Sequence, residues 1–382
     1  MQILGAVLET VGAPPPYASS HPLSVGPLEL DPPGDGEILV RIEAAGICHS
    51  DLSVVDGNRA RPTPMLLGHE AAGIVELLAP GVPDLALGDR VVMTFLPRCG
   101  ACSGCATDGR LPCVPGSAAN TAGTLLGGGA RLHRDGEPVA HHLGVSAFAS
   151  HAVVHRTSVV RVDADVPPDV AALLGCAVLT GGGAMINASD ARPGDTVIVV
   201  GLGGVGMAAA LVALSLGHHV IGVDSVPAKL DSARASGVHE AWTPEELLAQ
   251  TITAPVVIEA AGHARAFETA VRATAPGGRT VTVGLPAPGA LAEVSPLLLT
   301  AEARTIVGSY LGSAVPARDI PRYADLWREG RLPVERLISD RIALPEINDA
   351  MDALAEGRAL RQLIIFDGDD AVGHPTEGEP IP

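Results

Sequence analysis

A cysteine, a hydroxyl, a carboxylate and a histidine–glutamate pair stand close together near residue 50 of the sequence. Cys48, Ser50 and Asp51 are near neighbours, and the pair His69–Glu70 follows about twenty residues later. Thiolate sulfur and imidazole nitrogen are ligands that Zn²⁺ prefers in a tetrahedral site. A catalytic zinc usually has three protein ligands and one open position, so this pattern predicts a further ligand elsewhere. Each residue alone would also suit a protein core, as a buried thiol or a hydrogen-bonded histidine.

Four other cysteines lie within fifteen residues, in a C-x2-C-x2-C-x7-C pattern formed by Cys99, Cys102, Cys105 and Cys113. Four thiolates at this spacing can surround one tetrahedral metal ion and leave no vacancy, as in a structural zinc site. An iron–sulfur cluster is the main rival, but the last gap is long and no second cysteine cluster follows. The array therefore predicts a structural zinc lobe over residues 99–113, with four unrelated cysteines as the remaining alternative.

Cys176 is the sixth cysteine of the chain and lies outside this array, as Cys48 does. It is therefore the natural third ligand for a zinc site with Cys48 and His69. Considered by itself, it would be a residue of the core.

A glycine-rich segment follows the apolar run 196–200, which has the composition of a strand buried on both faces of a parallel sheet. The segment consists of Gly201, Leu202, Gly203, Gly204, Val205 and Gly206. An alanine-rich helical stretch, a second apolar strand at 219–223 and then Asp224 come after it. This order is the dinucleotide-binding fingerprint, in which the pyrophosphate rests on the helix N-terminus. A carboxylate at residue 224 would accept hydrogen bonds from the adenosine ribose and repel a 2′-phosphate, which favours NAD over NADP.

The composition excludes several classes of protein. The net charge of −18 argues against a nucleic-acid partner or an anionic membrane surface, since either would need a basic patch. No apolar run reaches transmembrane length, and the first residues have the pattern of a strand rather than a signal peptide. Clustered cysteines without a secretory signal indicate metal binding rather than disulfides, so we expect a cytoplasmic protein.

The segments between these motifs predict an α/β protein with two kinds of domain. Short alternating runs up to residue 165 indicate a mostly β region with Gly/Pro turns, in which the strand 37–43 leads directly to Cys48. After residue 195, apolar strands alternate with helices, as in a doubly wound parallel sheet. The last sixteen residues, 367–382, are acidic and rich in Gly and Pro, and we expect a disordered tail there.

From about residue 37 to Phe366 the chain resembles the zinc-dependent, NAD-dependent medium-chain alcohol dehydrogenases of the liver type. The matching stretches are G-I-C-H-S-D, G-H-E-A-A-G-I-V-E, the four-cysteine lobe, H-H-L-G-V-S-A-F, G-C-A-V-L-T-G, G-L-G-G-V-G-M and R-Q-L-I-I-F. The resemblance implies a GroES-like catalytic domain over 1–176 that contains the structural zinc lobe. It implies a Rossmann NAD-binding domain over 177–311 and a return to the catalytic domain over 312–382. The long segment 114–150 is similar to that of the dimeric enzymes, so a homodimer is expected.

The resemblance also assigns roles to single residues. It implies that one zinc is catalytic, with Cys48, His69 and Cys176 as ligands, Glu70 behind the metal and Asp51 orienting the zinc histidine. The cofactor contacts that it implies are His49 and Arg361 at the pyrophosphate, Thr180 at the nicotinamide and Lys229 on the adenosine side. Phe95, Leu143 and Leu285 match substrate-pocket positions. The implied reaction is hydride transfer between a small alcohol, or the corresponding aldehyde or ketone, and NAD(H).

Two departures from the family pattern bear on function. Relatives that oxidise the formaldehyde–glutathione adduct have an acid and an arginine where this chain has Arg59 and Ser117. That activity is therefore not expected, although another thiol adduct stays open, as does a catalytically silent protein of the same fold. In addition, Ser50 matches the hydroxyl that relays the substrate proton, but Ser53 replaces the histidine that receives it in liver-type relatives. We therefore predict a relay that ends at water near Ser53.

Overall fold

The computed structural model describes residues 1–366, so the predicted tail at 367–382 lies outside the described residues. Eighteen strands are formed within the described part of the chain. In chain order they are β1 (Gln2–Leu8), β2 (Leu23–Leu30), β3 (Glu37–Ile47), β4 (Met65–Leu66), β5 (Glu70–Leu78), β6 (Arg90–Met93), β7 (Leu132–Arg134), β8 (Glu137–His141), β9 (His151–His155), β10 (Val159–Val162), β11 (Thr196–Val200), β12 (His219–Val223), β13 (Glu240–Trp242), β14 (Ala254–Glu259), β15 (Thr274–Thr282), β16 (Thr305–Gly308), β17 (Asp340–Ile342) and β18 (Gln362–Ile365).

Twelve α-helices connect or cover these strands in residues 1–366. They are α1 (Tyr17–Ser20), α2 (His49–Val55), α3 (Val114–Ala122), α4 (Pro168–Leu174), α5 (Ala177–Gly183), α6 (Gly204–Ser215), α7 (Pro227–Ala235), α8 (Pro244–Ala249), α9 (Ala264–Arg272), α10 (Pro296–Ala301), α11 (Pro316–Arg328) and α12 (Ile347–Ala355). No single helix among them is long and apolar enough to cross a membrane, although the bent pair formed by Pro168–Leu174 and Ala177–Ala188 has the combined length and composition.

The first half of the chain folds into two antiparallel-rich β structures. Five strands close a small barrel in the order β1-β2-β7-β8-β4, and a second sheet has the order β10-β6-β5-β3-β18-β17, with β9 also paired to β3. The second sheet includes strands from both ends of the described chain, because β18 pairs antiparallel with β3. This arrangement agrees with the predicted mostly β region, and it places β17 and β18 in the same sheet as β3.

The middle of the chain forms a six-stranded sheet whose paired strands all run parallel, in the order β13-β12-β11-β14-β15-β16. Strand β11 comes first in sequence, and the later strands lie on both sides of it, with β12 and β13 on one side and β14, β15 and β16 on the other. This change of direction beside the first strand is typical of dinucleotide-binding proteins. The central strands are apolar because helices cover both faces, and the side chains of Ile198 and Val199, which point to opposite faces, are both fully buried. The predicted α/β fold class is confirmed, while the domain boundaries at 176 and 311 stay predictions.

Candidate active site

Cys48, the first of the ligand-type residues, is held in place by its immediate neighbours in the chain. Strand β3 ends at Ile47, so Cys48 is the residue between that strand and helix α2. The backbone N–H of Cys48 donates to Oδ2 of Asp51 at 3.0 Å, which closes the first turn of the helix in the manner of a capping box. Asp51, whose side chain caps helix α2, is therefore also held beside Cys48.

The other two ligand-type residues reach the same place from different elements. His69 directly precedes β5, and β5 pairs antiparallel with β3 so that Gly46 lies opposite Glu70. Cys176 lies between α4 and α5, immediately before the first residue of α5. The ligand atoms of Cys48, His69 and Cys176 all lie within 4.8 Å of one another, and the three side chains are buried. The structure thus brings together the three predicted ligands.

The hydrogen bonds of His69 prepare it to bind a metal ion. Its Nδ1 donates to Oδ1 of Asp51 at 3.0 Å, so the lone pair of its Nε2 faces Sγ of Cys176 at 3.4 Å. Burial would raise the pKa of Asp51, but contacts with His69 and His142 outweigh it and lower that pKa to about 2. A hydrogen bond from Cys176 holds the pKa of Cys48 well below its ordinary value, which favours a thiolate. Two sulfurs and one imidazole nitrogen, with an ionised aspartate bonded to the other nitrogen of the imidazole, fit Zn²⁺.

Behind this cluster, Glu70 and Arg361 form a buried charged pair. Nη1 of Arg361 lies 3.6 Å from Oε2 of Glu70 and donates to the carbonyl oxygen of Ile47 at 3.0 Å. Both carboxylate oxygens of Glu70 are buried without a hydrogen-bond partner in residues 1–366, and burial raises its pKa to about 7. Arg361 also lies against Gly204, since a Cβ on that glycine would come within 2.5 Å of its guanidinium. The arginine therefore joins the metal-type cluster to the dinucleotide-type loop.

The four cysteines of the predicted lobe converge on one point. Their sulfurs lie within 4.8 Å of one another, with Cys99–Cys105 and Cys102–Cys113 distances of 3.9 Å. Backbone N–H groups of Cys105 and Val114 donate to Sγ of Cys102, each at 3.4 Å, and lower its pKa to about 6. N–H groups that point at sulfur favour thiolates, so this closed set of four fits a structural zinc.

The glycine-rich loop has the geometry that a dinucleotide needs. Gly201 adopts a left-handed conformation (φ 93°) at the end of β11, and α6 begins at Gly204. A Cβ at Gly206 would come within 1.7 Å of the carbonyl oxygen of Gly201, so only glycine permits this close packing of helix against strand. A Cβ at Gly203 would meet nothing, because that position faces open space. The helix N-terminus is thus free to receive a pyrophosphate.

Asp224 is fixed next to this loop. Its Oδ2 accepts a hydrogen bond from the N–H of Leu202 at 2.8 Å, and its Oδ1 accepts one from the N–H of Val226 at 3.0 Å. Nζ of Lys229 lies 3.9 Å from the same carboxylate. Asp224 and Lys229 therefore stand together at one end of the site.

One cavity of about 500 Å³ joins the three-ligand cluster to the glycine-rich loop and to Asp224. At one end its wall includes Cys48 and Cys176, and at the other Asp224 and Lys229. Of the other residues predicted from the sequence, the cavity wall includes His49, Ser50, Thr180, Gly201, Gly203, Gly204, Val205, Arg361, Phe95 and Leu285. Leu143 is not part of that wall and packs in the same buried cluster as Phe95. Leu202 and Gly206 are buried beneath the loop.

Among the residues of the site that were not predicted from the sequence, three bear on its chemistry. Tyr310 extends the wall beyond Phe95, with the ring centroids 5.8 Å apart, and Arg59 lines the cavity near it. His142 is buried with its Nδ1 3.2 Å from Oδ1 of Asp51, so two imidazoles share one carboxylate oxygen. The H-H-L-G stretch was a signal for His142, whereas Tyr310 and Arg59 carry no local motif.

Comparison with known proteins gives the same assignment for the whole chain. Residues 34–164 match the alcohol dehydrogenase GroES-like domain, and residues 204–329 match the zinc-binding dehydrogenase domain. Alcohol dehydrogenase B of Mycobacterium tuberculosis is 35% identical over 366 residues, which cover 92% of this chain and 97% of that protein. The NDMA-dependent alcohol dehydrogenase of Amycolatopsis methanolica is 33% identical over 369 residues, with 92% and 98% covered.

Among solved structures, the benzyl alcohol dehydrogenase of Acinetobacter calcoaceticus superposes with a TM-score of 0.87 at 30% sequence identity. The superposition covers 96% of this chain and all of that one (100%). Sequence, fold and the arrangement of cysteines and histidine therefore agree. The chain belongs to the zinc-dependent medium-chain alcohol dehydrogenase family.

Proposed function

We propose that this protein oxidises a primary or secondary alcohol with NAD as the hydride acceptor, or catalyses the reverse reduction. In the forward direction the alcohol loses a hydride to NAD and a proton to solvent, which gives an aldehyde or ketone, NADH and H⁺. The observation that carries the proposal is the single cavity shared by Cys48, Cys176 and the glycine-rich loop. A metal-type cluster and a dinucleotide-type loop open onto one space, so substrate and cofactor can meet there.

The residues of the site would have separate roles in this reaction. Zinc held by Cys48, His69 and Cys176 would supply a Lewis acid for the substrate oxygen, and NAD would supply the hydride acceptor. Asp51 keeps the Nε2 of His69 directed at the ligand cluster. The rings of Phe95 and His69 meet edge to face at 5.6 Å, so an apolar wall adjoins the cluster. That wall would orient the hydrocarbon part of the alcohol and exclude water.

The proton would leave through hydroxyl groups. Ser50 lines the cavity within two residues of Cys48, so it is placed to accept the proton of the alcohol. Ser53 also lines the cavity, and its hydroxyl donates to the carbonyl oxygen of His49 at 2.8 Å. A serine can pass a proton in a concerted transfer but does not hold one at neutral pH, whereas an imidazole does. We therefore propose a relay that begins at Ser50 and ends at water near Ser53.

The preference for NAD is proposed from Asp224. Its carboxylate is held in place by two backbone N–H groups, and it lines the end of the cavity where the adenosine would lie. A 2′-phosphate at this position would meet a negative charge. Removing that charge would shift selectivity toward NADP by one or two decades, since each decade corresponds to about 1.4 kcal/mol.

Two zinc ions per chain are proposed, with separate roles. Cys99, Cys102, Cys105 and Cys113 form a closed set of four thiols, while the cluster around His69 offers three ligands and faces the cavity.

We propose a homodimer as well, because β16 is the last strand of its sheet and leaves one edge unpaired in the described chain. A cytoplasmic location stays a proposal drawn from cysteine usage.

The decisive experiment combines metal analysis with kinetics on purified protein. Alcohols and aldehydes are screened with NAD, NADP and NDMA as separate acceptors, and the metal content is measured by mass spectrometry. We expect two zinc ions per chain, activity with NAD and little with NADP. Cys176→Ala should lose one zinc and the activity while staying folded, whereas Cys102→Ala should mainly lower the unfolding temperature. One zinc per chain in an active preparation, or a preference for NADP, would contradict the corresponding part of the proposal.

A further inference from the structure

Arg59 is a cationic residue of the cavity wall and has no anionic partner among residues 1–366. Its Nη2 makes one long hydrogen bond, 3.4 Å, to the carbonyl oxygen of Leu285. In residues 1–366 no carboxylate lies within ion-pair distance of its guanidinium, although acidic residues outnumber basic ones by 43 to 25 in the sequence. The guanidinium is a rigid fork of five donors, of which this contact uses one.

The neighbourhood of Arg59 adds to this positive charge. Arg61, two residues later, donates to the carbonyl oxygen of Asn120 at 3.2 Å, and its Nε is buried without a partner in the described chain. Burial lowers the pKa of Arg61, and the charge of Arg59 adds to that effect. Arg59 lines the cavity, and the second positive charge near it favours an anion at this position.

The aromatic wall fixes where this site lies relative to the ligand cluster. His69 contacts Phe95 edge to face at 5.6 Å, and Phe95 contacts Tyr310 in the same way at 5.8 Å. Arg59 and Tyr310 both line the cavity. Burial raises the pKa of Tyr310, while the positive charges of Arg59 and Arg61 act against it. The wall therefore runs from a metal-type ligand, over two rings, to a cationic end.

Contacts also separate Arg59 from the cofactor end. The side chain reaches Leu285, which lies on the loop after β15, whereas the phosphate-type positions are Gly203, Gly204 and Arg361. This contact therefore places Arg59 beside Leu285, a position that the family resemblance assigns to the substrate pocket.

We propose that the preferred substrate is an alcohol whose far end carries a carboxylate, bound by Arg59 beyond the Phe95–Tyr310 wall. A carboxylate matches the planar guanidinium fork, and such charge-assisted pairs are about twice as strong as neutral hydrogen bonds. This inference rests on the proposed dehydrogenase function and specifies its substrate class. The hydrocarbon part lies on the two rings while the carbinol reaches the ligand cluster.

The test compares matched substrates that differ only in charge. 4-(Hydroxymethyl)benzoate is compared with 4-(hydroxymethyl)benzamide, and ω-hydroxyalkanoates of increasing length are compared with their amides, at low and at high salt. For the best pair we expect kcat/KM to favour the acid by at least about tenfold, with the difference reduced at high salt. Arg59→Met should reduce the acid-to-amide ratio by roughly 10- to 100-fold, the range for a hydrogen bond to a charged group.

Two further variants make the result specific. Arg59→Lys should keep part of the preference, because the charge remains while the planar fork is lost. Arg272→Met removes the same charge from an exposed helix end outside the cavity and should leave the acid-to-amide ratio unchanged. A ratio near one in the unmodified enzyme would overturn the proposal. So would an Arg59→Met variant with an unchanged ratio and a raised KM for NAD, because the arginine would then serve the cofactor.

Direct binding separates this inference from the proposed reaction. Calorimetric titration of the zinc-loaded protein with 4-(hydroxymethyl)benzoate should give a Kd at least about tenfold lower than for Arg59→Met. If no alcohol of either kind is oxidised, the dehydrogenase proposal fails, and this titration still decides whether Arg59 binds a carboxylate. Equal affinity of the two proteins would reject the anion site whatever the kinetics show.

Discussion

At the scale of single residues, Ser50 should control proton release. Ser50→Ala removes the hydroxyl that lines the cavity beside Cys48. Turnover in alcohol oxidation should fall by roughly 10²–10⁴, the usual contribution of a positioned proton-transfer group. The measurement is the rate of alcohol oxidation as a function of pH.

Ser53 provides the matched control for this relay. Its hydroxyl already donates to the carbonyl oxygen of His49, and we place only water beyond it. Ser53→Ala should therefore lower turnover much less, and Ser53→His should raise oxidation near pH 7 because imidazole can hold the proton. Near-normal turnover of Ser50→Ala would show that the proton takes another route.

His141 predicts a loss of stability in acid. It is fully buried, its Nε2 accepts the N–H of Arg131 at 3.0 Å, and burial lowers its pKa from 6.5 to about 3. The unfolded chain binds a proton here near pH 6.5 and the folded chain does not. His141 therefore leaves the free energy of unfolding unchanged well above pH 6.5 and lowers it as the pH falls below that value. The free energy of unfolding should drop by about 2 kcal/mol between pH 7.5 and pH 5 from this residue.

His141→Gln isolates that contribution, since a glutamine oxygen can accept the same N–H but does not titrate. Denaturant unfolding at the two pH values is compared for the variant and the unmodified protein. The variant should lose less stability in acid. An identical pH dependence of the two proteins would rule out His141 as the cause.

The residues that the sequence predicted well are those whose spacing reflects one chemical requirement. The six cysteines and His69 gave both clusters, because metal ligands must be of a few types and must converge. Tyr310 and Arg59 were not predicted, because their roles arise only where segments far apart in sequence meet around the cavity. His142 stands in a recognised stretch, but its contact with Asp51 depends on how the barrel strand β8 ends.

At the scale of elements, two glycines of the same loop should behave oppositely. Gly206→Ala forces a Cβ to within 1.7 Å of the carbonyl oxygen of Gly201, so α6 must move away from β11. We expect a loss of about 3 kcal/mol or more, as for severe overpacking. Gly203→Ala meets nothing within 4 Å and should change stability by less than about 1 kcal/mol.

Binding of NADH should separate the two variants further. The Cβ added at Gly203 points into the space proposed for the pyrophosphate, so the folded variant should bind NADH weakly. Thermal unfolding and fluorescence titration with NADH measure the two effects. A stable Gly206→Ala protein, or a Gly203→Ala protein with full NADH affinity, would contradict this description of the loop.

Elements were predicted from the sequence where periodicity extended over a whole strand or helix. The run 196–200 agrees with β11 residue for residue. Helix α2 was not predicted, because it is short and its polar residues face the site and a turn. Strand β16 ends at Gly308, and soon after it Leu311 and Gly312 adopt left-handed conformations (φ 52° and 65°) that turn the chain. Those angles cannot be read from residue types alone.

At the scale of the whole molecule, the edge of the parallel sheet that stays unpaired in residues 1–366 predicts self-association. Strand β16 ends the sheet, and Leu297 and Leu298 of the neighbouring helix α10 are 75% and 43% exposed. An open strand edge beside exposed leucines is a surface that a second copy can cover. Sedimentation should give twice the chain mass of 38.7 kDa.

A charge introduced at this surface should separate the copies. The double variant Leu297→Glu, Leu298→Glu should sediment as a monomer, because two carboxylates would be buried at the contact. Leu87→Glu is the control, since Leu87 is also exposed (65%) but lies in a turn of the first half of the chain. A monomeric unmodified protein, or a double variant that stays dimeric, would reject the predicted contact.

The pairing of β18 with β3 has a consequence for the order in which a ribosome-bound chain can fold. The last four residues of β3, 44–47, pair with β18, which is not synthesised until residues 362–365, whereas the six strands of the parallel sheet all lie between residues 196 and 308. Arg361, which contacts Ile47 and Glu70, arrives at the same late moment. Because domains generally fold as units once their strands are available, we expect the parallel sheet to form first. The sheet that contains β3 is then completed last, and until then the edge formed by residues 44–47 is open to chaperones and to wrong partners.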